Sequence, residues 1–402
     1  MPDLANKRLV LGMTGGIACY KIAELVRRLV EQGADVDVVM TEAATHFITP
    51  VTMQALSGRP VFVDAWDARM ANNMPHIDLT RGADLVLIAP GSADFMAKLA
   101  HGFANDLLST LCLARPCPLA VVPAMNREMW EKPATQRNVA QLRADGIDIF
   151  GPASGDQACG ETGDGRMLEP ADILADVIAS FAEKTLAGLS VVLTAGPTSE
   201  PVDPVRVLTN RSSGKTGYAL ARALREAGAT VTLITGATAL PIPRGVAAIG
   251  VTTARQMHEA VMQHVVDADI FIAVAAVADW HVTNISDQKL KKNTEGGGAP
   301  AMSFAPNPDI LASVAALEKG PWCVGFAAET EKLAEHADAK RRRKNIPLLV
   351  GNLAQNVMDA DTTELVLFDD EGAHPMPTAS KRDATRRLVA EIARRWRKSR
   401  RG

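Results

Sequence analysis

The sequence KRLVLGMTGGIACYKIAELVRRLVEQGADVDVVMT, residues 7–41, decides the fold of the first part of the chain. An apolar run at 8–13 enters a glycine turn, an amphipathic stretch follows over 17–31, and a second apolar run ends at Thr41. Apolar residues recur at helical spacing in the amphipathic stretch, and Gly33 stands where the cap of a helix is expected. The stretch therefore predicts a strand, a turn that suits an anion, a helix and a second strand.

A related unit begins at residue 189 and reads LSVVLTAGPTSEPVDPVRVLTNRSSGKTGYALARALREAGATVTLITG. It repeats the apolar run and the glycine turn, and a helical pattern over 215–226 precedes a second apolar run after Gly228. Further apolar runs alternate with helical patterns in both halves, which is typical of parallel sheets covered on both faces. We therefore predict an α/β protein with two tandem Rossmann-like domains and mainly parallel sheets, with domain limits at 1–187 and 188–402.

Composition is that of an ordinary globular protein: 402 residues, of which 47% are hydrophobic and 22% charged. The 43 Lys and Arg residues nearly balance the 46 Asp and Glu residues, which argues against a general polyanion-binding protein. The five cysteines are scattered and odd in number, so we expect thiols rather than a disulfide framework. The sequence has no apolar run of membrane-spanning length and no signal-peptide pattern, so we expect a cytoplasmic protein without membrane or nucleic-acid partners.

The turn MTGGIACYK at 13–21 differs from the dinucleotide fingerprint G-x-G-x-x-G, and the second strand ends in Thr41 rather than in an acid for a ribose hydroxyl. Both features disfavour a dinucleotide. Gly15 and Gly16 let main-chain amides approach an anion at the start of the helix, which suits the phosphate of a mononucleotide such as FMN. Thr41 and Ser92 are candidate hydroxyl donors to the phosphate or the flavin.

Three further side chains of the first half are candidates for chemistry. His76 stands alone in a polar stretch, where a structural or exposed histidine is the commoner case. Asn126 follows the apolar run 118–125 at the crevice end of a predicted parallel strand, and its spacing fits a helix N-cap equally well. Cys159 lies in the glycine-rich segment 151–165, which predicts a mobile loop or flap that can bring the thiol over a ligand.

The first half carries, across nearly all of residues 6–180, the motifs TGGIACYK, HIDLTRGADLVLIAP, AKLAHGFANDLLS, PAMNREMW and PASGDQACGETGDGRM. Together these motifs resemble the flavin-dependent phosphopantothenoylcysteine decarboxylases, which implies a flavoprotein (flavodoxin-like) fold with FMN bound near a subunit interface and contacted also by Ile17. The resemblance implies that His76 is the active-site histidine, that Asn126 contacts the substrate carboxylate and that Cys159 is the proton donor. In this family the flavin oxidises the CH2–SH group to a thioaldehyde, so that loss of CO2 leaves a stabilised enethiolate.

The loop before the first helix of the second half ends in NRSSGKTG, which has the GKT of a P-loop but Thr209 where the first glycine is required. Asn210 stands just ahead of that helix, in a suitable place for an anion. A buried-type apolar run leads into Asp279. Lys289 opens the basic segment KLKK, 289–292, whose composition is that of an exposed loop. Such a loop beside an aspartate also suits a nucleoside triphosphate with Mg²⁺.

The second half carries in this order, over roughly 188–395, the motifs GPTSEPVDPVR, NRSSGKTG, AAVADW, KLKK, NPDIL, VGFAAET and KRRRKN. They resemble the phosphopantothenate–cysteine ligase domain, which implies that CTP activates 4′-phosphopantothenate to an acyl-cytidylate with release of pyrophosphate, and that the cysteine amine then attacks. By this resemblance Lys289 is the key lysine and Asn210 serves conversion of the acyl-cytidylate. The residues implied at the CTP site are Ala273, Val274, Ala275, Asp279, Asn307, Pro308, Asp309, Ile310, Phe326, Lys340 and Lys344. Lysines and Mg²⁺ offset charge on the phosphates.

The leading hypothesis is one bifunctional enzyme for two consecutive steps of coenzyme A synthesis, ligation followed by decarboxylation to 4′-phosphopantetheine. The alternatives are a two-domain nicotinamide-dependent oxidoreductase and a nucleotide-binding regulatory protein without catalysis. The missing G-x-G-x-x-G weighs against the first alternative, and Cys159 in its flap weighs against the second. The resemblance also implies a homo-oligomer, with trimer-based assembly of the flavin half and dimeric ligase domains.

Overall fold

The computed structural model describes residues 2–66, 74–291, 301–329, 332–353 and 362–401. The chain divides into two compact units, Met1–Phe181 and Ala182–Gly402. Each unit has its own central sheet and its own buried apolar clusters. Among the described helices, none combines the length and the apolar character needed to cross a membrane.

The strands of the first unit are β1 (Arg8–Met13), β2 (Asp35–Met40), β3 (Val61–Phe62), β4 (Leu85–Gly91), β5 (Leu119–Pro123), β6 (Asp148–Ile149), β7 (Ala153–Asp156) and β8 (Thr162–Arg166). Strands β1 to β6 form a parallel sheet in the order β3-β2-β1-β4-β5-β6, which is the doubly wound order. All residues of β4 and β5 are buried, as expected for strands covered on both faces. Strands β7 and β8 form a separate antiparallel hairpin.

The helices of the first unit are α1 (Cys19–Glu31), α2 (Glu42–Thr45), α3 (Pro50–Ser57), α4 (Pro75–Thr80), α5 (Ala93–His101), α6 (Leu107–Ala114), α7 (Arg127–Glu131), α8 (Pro133–Ala144) and α9 (Pro170–Ser180). Helix α1 ends before Gly33, whose φ of 85° is the left-handed conformation that terminates helices. Its buried residues Ile22 and Leu25 pack in one cluster with Leu9 of β1. Val10 belongs to a second cluster, because successive side chains of a strand point to opposite faces.

The strands of the second unit are β9 (Ser190–Ala195), β10 (Ser199–Pro201), β11 (Val207–Thr209), β12 (Thr230–Thr235), β13 (Ala247–Gly250), β14 (Ile270–Ala273), β15 (Trp280–Val282), β16 (Phe304–Pro306), β17 (Trp322–Glu329), β18 (Leu348–Leu353), β19 (Thr362–Thr363), β20 (Val366–Asp369), β21 (Gly372–Pro375) and β22 (Ala379–Ser380). Eight of them form one sheet in the order β13-β12-β9-β14-β17-β18-β20-β21. From β13 to β18 the pairs are parallel and repeat the doubly wound order, whereas β20 and β21 are antiparallel. The predicted fold class, α/β with mainly parallel sheets, is confirmed.

The helices of the second unit are α10 (Lys215–Glu226), α11 (Ala254–His264), α12 (Ile310–Ala315), α13 (Leu333–Arg343) and α14 (Lys381–Arg401). Helix α10 has the bounds predicted from the sequence, and its Leu220 and Leu224 pack in one cluster with Leu193 of β9. Leu388 and Ile392 of α14 belong to the same cluster. In both units the strand order reverses beside the first strand, so a crevice opens at the carboxyl ends of β1 and β4 and of β9 and β14.

Candidate active sites

A buried threonine joins the two loops that border the crevice of the first unit. Thr14 Oγ1 donates to the Pro90 carbonyl oxygen at 2.5 Å and accepts from the Ser92 N–H at 2.9 Å. The Ser92 hydroxyl in turn caps α5 by accepting from the Phe95 N–H at 3.2 Å. The predicted glycine turn and Ser92 are therefore neighbours at the edge of the sheet where doubly wound folds bind ligands.

A cavity of about 720 Å³ opens at this crevice. Its volume lies within the range of about 300–1,000 Å³ that is typical of ligand and cofactor pockets. The cavity brings together side chains and turns from four separate regions of the chain. The predicted residues that line it are Gly15, Gly16, Ile17, Ser92, Asn126 and Cys159.

The glycine turn of this cavity suits a flavin nucleotide. No side chain caps the start of α1, where the helix dipole favours a phosphate. A Cβ on Gly16 would meet no atom within 4 Å, whereas a Cβ on Gly15 would lie 2.6 Å from the Ala43 Cβ. The main chain at Gly16 is therefore open to a ligand, and the side chain of Ile17, which is 62% exposed, offers apolar surface to a ring system.

Two basic side chains that were not predicted as site residues, Lys21 and Arg166, also line the cavity. Lys21 is only 8% exposed, and its Nζ donates to Glu169 Oε1 at 2.7 Å and to the Met167 carbonyl oxygen at 3.4 Å. Arg166 donates to the same Glu169 oxygen at 2.8 Å. The hydrogen bond from Lys21 is the main cause that lowers the pKa of Glu169, so the group carries two cations and one carboxylate beside the cavity. The sequence feature that could have identified Lys21 as a site residue is its position in the motif TGGIACYK.

The glycine-rich segment around Cys159 forms the hairpin of β7 and β8, where the sequence predicted a loop or flap. Cys159 is exposed at its turn, which the hydrogen bond from the Gln157 N–H to the Glu161 carbonyl oxygen closes at 2.8 Å. Gly165 has a φ of 116°, and a Cβ there would lie 2.6 Å from the Met125 carbonyl oxygen. Glycine therefore allows β8 to approach the segment that follows β5, where the Met125 N–H donates to the Gly165 oxygen at 2.9 Å.

Asn126 is the N-cap residue of α7 and faces the thiol at the same time. Its Oδ1 accepts from the N–H groups of Glu128 at 2.8 Å and Met129 at 3.4 Å. Its Nδ2 donates to Cys159 Sγ at 3.3 Å and also to the Glu161 carboxylate. Because the cap holds one end of the amide, the NH2 group is directed toward the hairpin turn.

Thr41 and His76 are not among the described residues that line this cavity. The Thr41 hydroxyl donates to the Met13 carbonyl oxygen at 3.3 Å and, as the N-cap of α2, accepts from the Ala44 N–H at 3.3 Å. His76 is the second residue of α4, and its carbonyl oxygen accepts from the Thr80 hydroxyl at 2.9 Å. Within one chain, the structure does not bring these two predicted residues to Cys159.

The crevice of the second unit is also held by threonines. Thr194 Oγ1, near the end of β9, accepts from the N–H groups of Val274 and Ala275, each at 3.2 Å. Thr198 Oγ1 accepts from the Ala278 N–H at 2.8 Å. These bonds fasten the loop after β14 against the loop after β9, so the predicted residues from Ala273 onward lie at the carboxyl end of the sheet.

Two asparagine amides connect further predicted segments to this loop. Asn210 Nδ2 donates to the carbonyl oxygens of residues 276–277, at 3.2 and 3.1 Å. Asn307 Nδ2 donates to the Ala278 carbonyl oxygen at 2.9 Å, and its N–H donates to the Asp279 carbonyl oxygen at 2.8 Å. Asn210 and the segment Asn307 to Ile310 are thus tied to the same loop although nearly a hundred residues separate them.

Two of the three predicted lysines of the second unit, Lys340 and Lys344, contact other predicted residues. Lys344 Nζ donates to Asp309 Oδ1 at 2.8 Å, and that carboxylate also caps α12 by accepting from the Ala312 N–H at 3.0 Å. Lys340 Nζ donates to the Phe326 carbonyl oxygen at 3.3 Å. Burial opposes ionisation of Asp309, but the hydrogen bonds from Lys344 and Ala312 and the charges of both lysines lower its pKa. The carboxylate is therefore charged at neutral pH and orients Lys344.

Lys289 is exposed in a loop whose main chain is fastened to a buried carboxylate. The Leu290 N–H donates to Asp203 Oδ2 at 3.1 Å, and Arg206 Nη1 donates to the Leu290 carbonyl oxygen at 3.0 Å. Asp203 and Arg206 also form an ion pair at 2.6 Å. Residues 292–298, which include the end of the KLKK segment and the glycine run, lie outside the described part of the chain.

A second cavity, of about 760 Å³, lies at the carboxyl ends of β12 and β13. Its lining includes Tyr218, Thr235, Thr238 and Gln256. Within the described ranges, its lining contains none of the residues predicted for the CTP site. None of the motifs of the second half contains these four residues.

Comparison with known proteins matches both halves of the chain to families. A family model described as Flavoprotein matches residues 2–182, and one described as DNA/pantothenate metabolism flavoprotein C-terminal domain matches residues 186–395. The coenzyme A biosynthesis bifunctional protein CoaBC of Vibrio cholerae is 49% identical over 95% of this chain and 96% of its own length. This chain belongs to the CoaBC family. The Escherichia coli K12 member of the CoaBC family is 46% identical over 98% of both chains.

Membership of the CoaBC family confirms the prediction of a bifunctional coenzyme A biosynthesis enzyme, a flavoprotein decarboxylase joined to a ligase. The nicotinamide-dependent oxidoreductase that the sequence left as an alternative has no support. Among solved structures, a mutant PPC decarboxylase complexed with pantothenoylaminoethenethiol is similar to the chain. It is 33% identical and covers 42% of this chain and 96% of its own, with a TM-score of 0.39.

Proposed function

We propose that the second unit joins cysteine to 4′-phosphopantothenate through an acyl-cytidylate made from CTP, and that the first unit decarboxylates the product to 4′-phosphopantetheine with FMN. The observation that carries this proposal is the meeting of Gly16, Asn126 and Cys159 around one cavity in a CoaBC family member. The two reactions are consecutive, because the amide that the ligase makes is the substrate of the decarboxylase. The domain limits at 1–187 and 188–402 remain part of this proposal.

In the decarboxylase unit, FMN would be held by the turn at Gly15 and Gly16 and by the side chains of Ile17 and Ser92. When bound, FMN supplies the oxidation of the CH2–SH carbon that makes loss of CO2 possible and the reduction that follows it. Asn126 donates its NH2 group to the substrate carboxylate, because its Oδ1 is engaged in the helix cap.

Cys159 is the proposed proton donor of this unit. Its Sγ lies 3.3 Å from the same Asn126 NH2 group, so the thiol sits beside the carbon that loses CO2 when the carboxylate binds that group. A thiol is a suitable acid for such a transfer at neutral pH, since model thiols have a pKa of about 8.5.

In the ligase unit, the CTP site consists of the hydrogen-bonded segments described above. Lys289, Lys340 and Lys344 offset the charge that develops on the phosphates as pyrophosphate leaves. Asn210 serves conversion of the acyl-cytidylate. Mg²⁺ remains part of this proposal because CTP is highly charged. Among the described residues no group of three or more His, Cys, Asp or Glu is arranged to hold a metal ion, so we assign the ion no protein ligands.

We propose a homo-oligomer, trimer-based through the flavin unit and dimeric through the ligase unit. His76 lies outside the cavity of its own chain, which supports a role at the cavity of a neighbouring copy. Ile17 and Tyr20, 62% and 63% exposed at the cavity, offer apolar surface to that neighbour. Thr41 is retained as a proposed contact of the flavin nucleotide, and a cytoplasmic location without nucleic-acid partners stays a prediction.

Two variants test the assignment by separating the two activities. Cys159→Ser is expected to lower formation of 4′-phosphopantetheine by about 100-fold or more, the usual contribution of a general acid, while CTP-dependent release of pyrophosphate continues. Lys289→Gln is expected to do the reverse, with loss of pyrophosphate release and normal decarboxylation of supplied 4′-phosphopantothenoylcysteine. Pyrophosphate, CO2 and both products are measured with the full chain.

Cys117→Ser and Lys319→Gln are the matched controls, because Cys117 does not line the cavity and the exposed Lys319 belongs to none of the predicted segments. Both should leave the two activities unchanged. Normal 4′-phosphopantetheine formation by Cys159→Ser would refute the proton-donor assignment. Pyrophosphate release that needs neither CTP nor 4′-phosphopantothenate would refute the ligase assignment.

A further inference from the structure

The Asn126 amide already has a carboxylate partner in the protein. Its Oδ1 caps α7, so its NH2 group is the part of the side chain left for other partners. That NH2 group donates to Cys159 Sγ at 3.3 Å and to the carboxylate of Glu161. Glu161 is not among the lining residues of the cavity, but it reaches the amide of a residue that is.

We propose that the Glu161 carboxylate holds the place of the substrate carboxylate on Asn126. It orients the amide in the free enzyme, and the carboxylate of 4′-phosphopantothenoylcysteine displaces it on binding. Glu161 is then a positioning residue that acts through Asn126 and does not itself take part in the chemistry. This inference rests on the proposed function of the first unit.

The hairpin allows this exchange because the hydrogen bond that closes its turn uses the main chain of Glu161 and not the side chain. The Glu161 carbonyl oxygen accepts from the Gln157 N–H at 2.8 Å, which closes the turn. The side chain itself is half-buried and has three rotatable bonds, so it can leave the amide without unfolding the hairpin. The Glu161 carboxylate therefore stays close to the Asn126 amide after the substrate has displaced it.

The Glu161 carboxylate and the substrate carboxylate compete for the Asn126 NH2 group because both are negatively charged. Two carboxylates repel each other and cannot share one NH2 group at full strength. Glu161 therefore weakens substrate binding, because breaking its hydrogen bond to Asn126 offsets part of the free energy gained when the substrate carboxylate binds. The product 4′-phosphopantetheine has lost its carboxylate as CO2, so it leaves Glu161 on Asn126. Glu161 should affect the affinity of the substrate and not that of the product.

The test is Glu161→Gln in the full chain loaded with FMN and supplied with 4′-phosphopantothenoylcysteine. A neutral amide keeps the size of the side chain but makes a weaker hydrogen bond than a carboxylate. We expect KM to fall about three- to tenfold, the scale of exchanging a charge-assisted for a neutral hydrogen bond, with kcat within about twofold. The inhibition constant of 4′-phosphopantetheine should not change.

Glu131→Gln is the matched control, because it removes an equally charged, exposed side chain from α7 that does not line the cavity. It should leave KM and kcat unchanged. A tenfold fall in kcat of Glu161→Gln at constant KM would assign Glu161 to the chemistry and overturn the inference. An unchanged KM, or a product inhibition constant that shifts as much as KM, would overturn it as well.

The outcome separates this inference from the proposed function. If the unsubstituted chain neither shows the flavin absorbance nor releases CO2 from 4′-phosphopantothenoylcysteine, the proposed function fails. If the unsubstituted chain is active and Glu161→Gln has the same KM, the inference about Glu161 alone fails. Flavin absorbance and thermal unfolding of the variant verify that it is folded and loaded.

Discussion

At the scale of the residue, Asn126 caps a helix with one atom of its amide and keeps another for its proposed contact with the substrate. Its carbonyl oxygen caps α7, and its NH2 group is directed to Cys159 and Glu161. A serine or an aspartate would cap the helix equally well, but neither offers an NH2 group to an acceptor. The N-cap and the substrate contact, which the sequence left as alternatives for this position, are compatible.

The cysteines should differ sharply in reactivity, which alkylation measures. Burial raises the pKa of Cys19 to about 11 and those of Cys112 and Cys323 to about 12, and it raises the pKa of the half-buried Cys117 too. A thiol with a pKa of 11 is ionised to only about one part in a thousand at pH 8. Iodoacetamide should therefore label the exposed Cys159 at least about tenfold faster than the buried thiols.

Mass spectrometry of peptides after timed alkylation checks this order. Loss of decarboxylation should follow labelling of Cys159, while ligation persists. Equally fast labelling of Cys19 or Cys112 in the folded chain would contradict the burial described here.

At the scale of the element, the hairpin of β7 and β8 depends on glycine for its position. The stretch 151–165 has no apolar pattern, and its glycines predict a conformationally free main chain rather than a strand. The structure instead pairs Gly155 with Gly163, and Gly165 lies against Met125 where a side chain does not fit. This close approach of Gly165 to Met125 places Cys159 beside Asn126.

Gly165→Ala should move the hairpin away from Asn126. The variant adds a Cβ 2.6 Å from a carbonyl oxygen at a φ of 116°, so the contact must open. We expect decarboxylation to fall at least tenfold while pyrophosphate release by the ligase unit is unchanged. Both are measured on the full chain with the assays described above.

Gly102→Ala is the control for this variant. Gly102 has a φ of 69° at the end of α5, and a Cβ there meets no atom within 4 Å. It should cost about 1 kcal/mol of stability from left-handed strain and leave decarboxylation unchanged. Equal losses of decarboxylation in both variants would show that strain, rather than the lost approach to Asn126, is the cause.

At the scale of the whole molecule, each unit repeats the doubly wound order, and the second unit extends its sheet with an antiparallel hairpin under α14. An ionic cluster links this hairpin to the helix. Asp369 accepts from His374 Nε2 and from Arg395 Nε, each at 2.9 Å. Burial opposes ionisation of Asp369, but the hydrogen bonds from His374, Arg395 and the Glu371 N–H lower its pKa to about 2.

This cluster should make the second unit sensitive to acid. Because the folded pKa of Asp369 lies below its value of about 4 in an unfolded chain, its contribution is complete above pH 4 and is lost as pH falls through about 2. Asp369→Asn should lower the free energy of unfolding by roughly 2 kcal/mol at pH 7, and the difference should shrink below pH 4. Hydrogen exchange of the amides in 366–375 and 381–401, compared between the variant and the unsubstituted chain at pH 7 and pH 3, measures this loss of free energy of unfolding.

Glu371→Gln is the control for the acid prediction, because its ion pair with Lys398 is exposed and such pairs contribute about 0–1 kcal/mol. If Asp369→Asn lowers the free energy of unfolding by the same amount at pH 7 and at pH 3, ionisation of Asp369 is not the cause of its contribution.

The sequence by itself determined the elements of this protein and their class. Helices α1 and α10 and the buried strands follow from periodicity, because apolar spacing and glycine caps act over a few neighbouring residues. The repeat of one such unit determined two α/β units with crevices at the carboxyl ends of their strands. The motifs determined the family, which the full-length relatives confirm.

The tertiary structure decided which of the predicted residues meet. It joined Asn126 to Cys159 and Glu161, and Asp309 to Lys344, and it left His76 away from the cavity. These contacts link residues some thirty or more positions apart, so no local pattern encodes them. They depend on strand order and on where a missing Cβ lets two segments approach, and both are set by the packing of the whole unit.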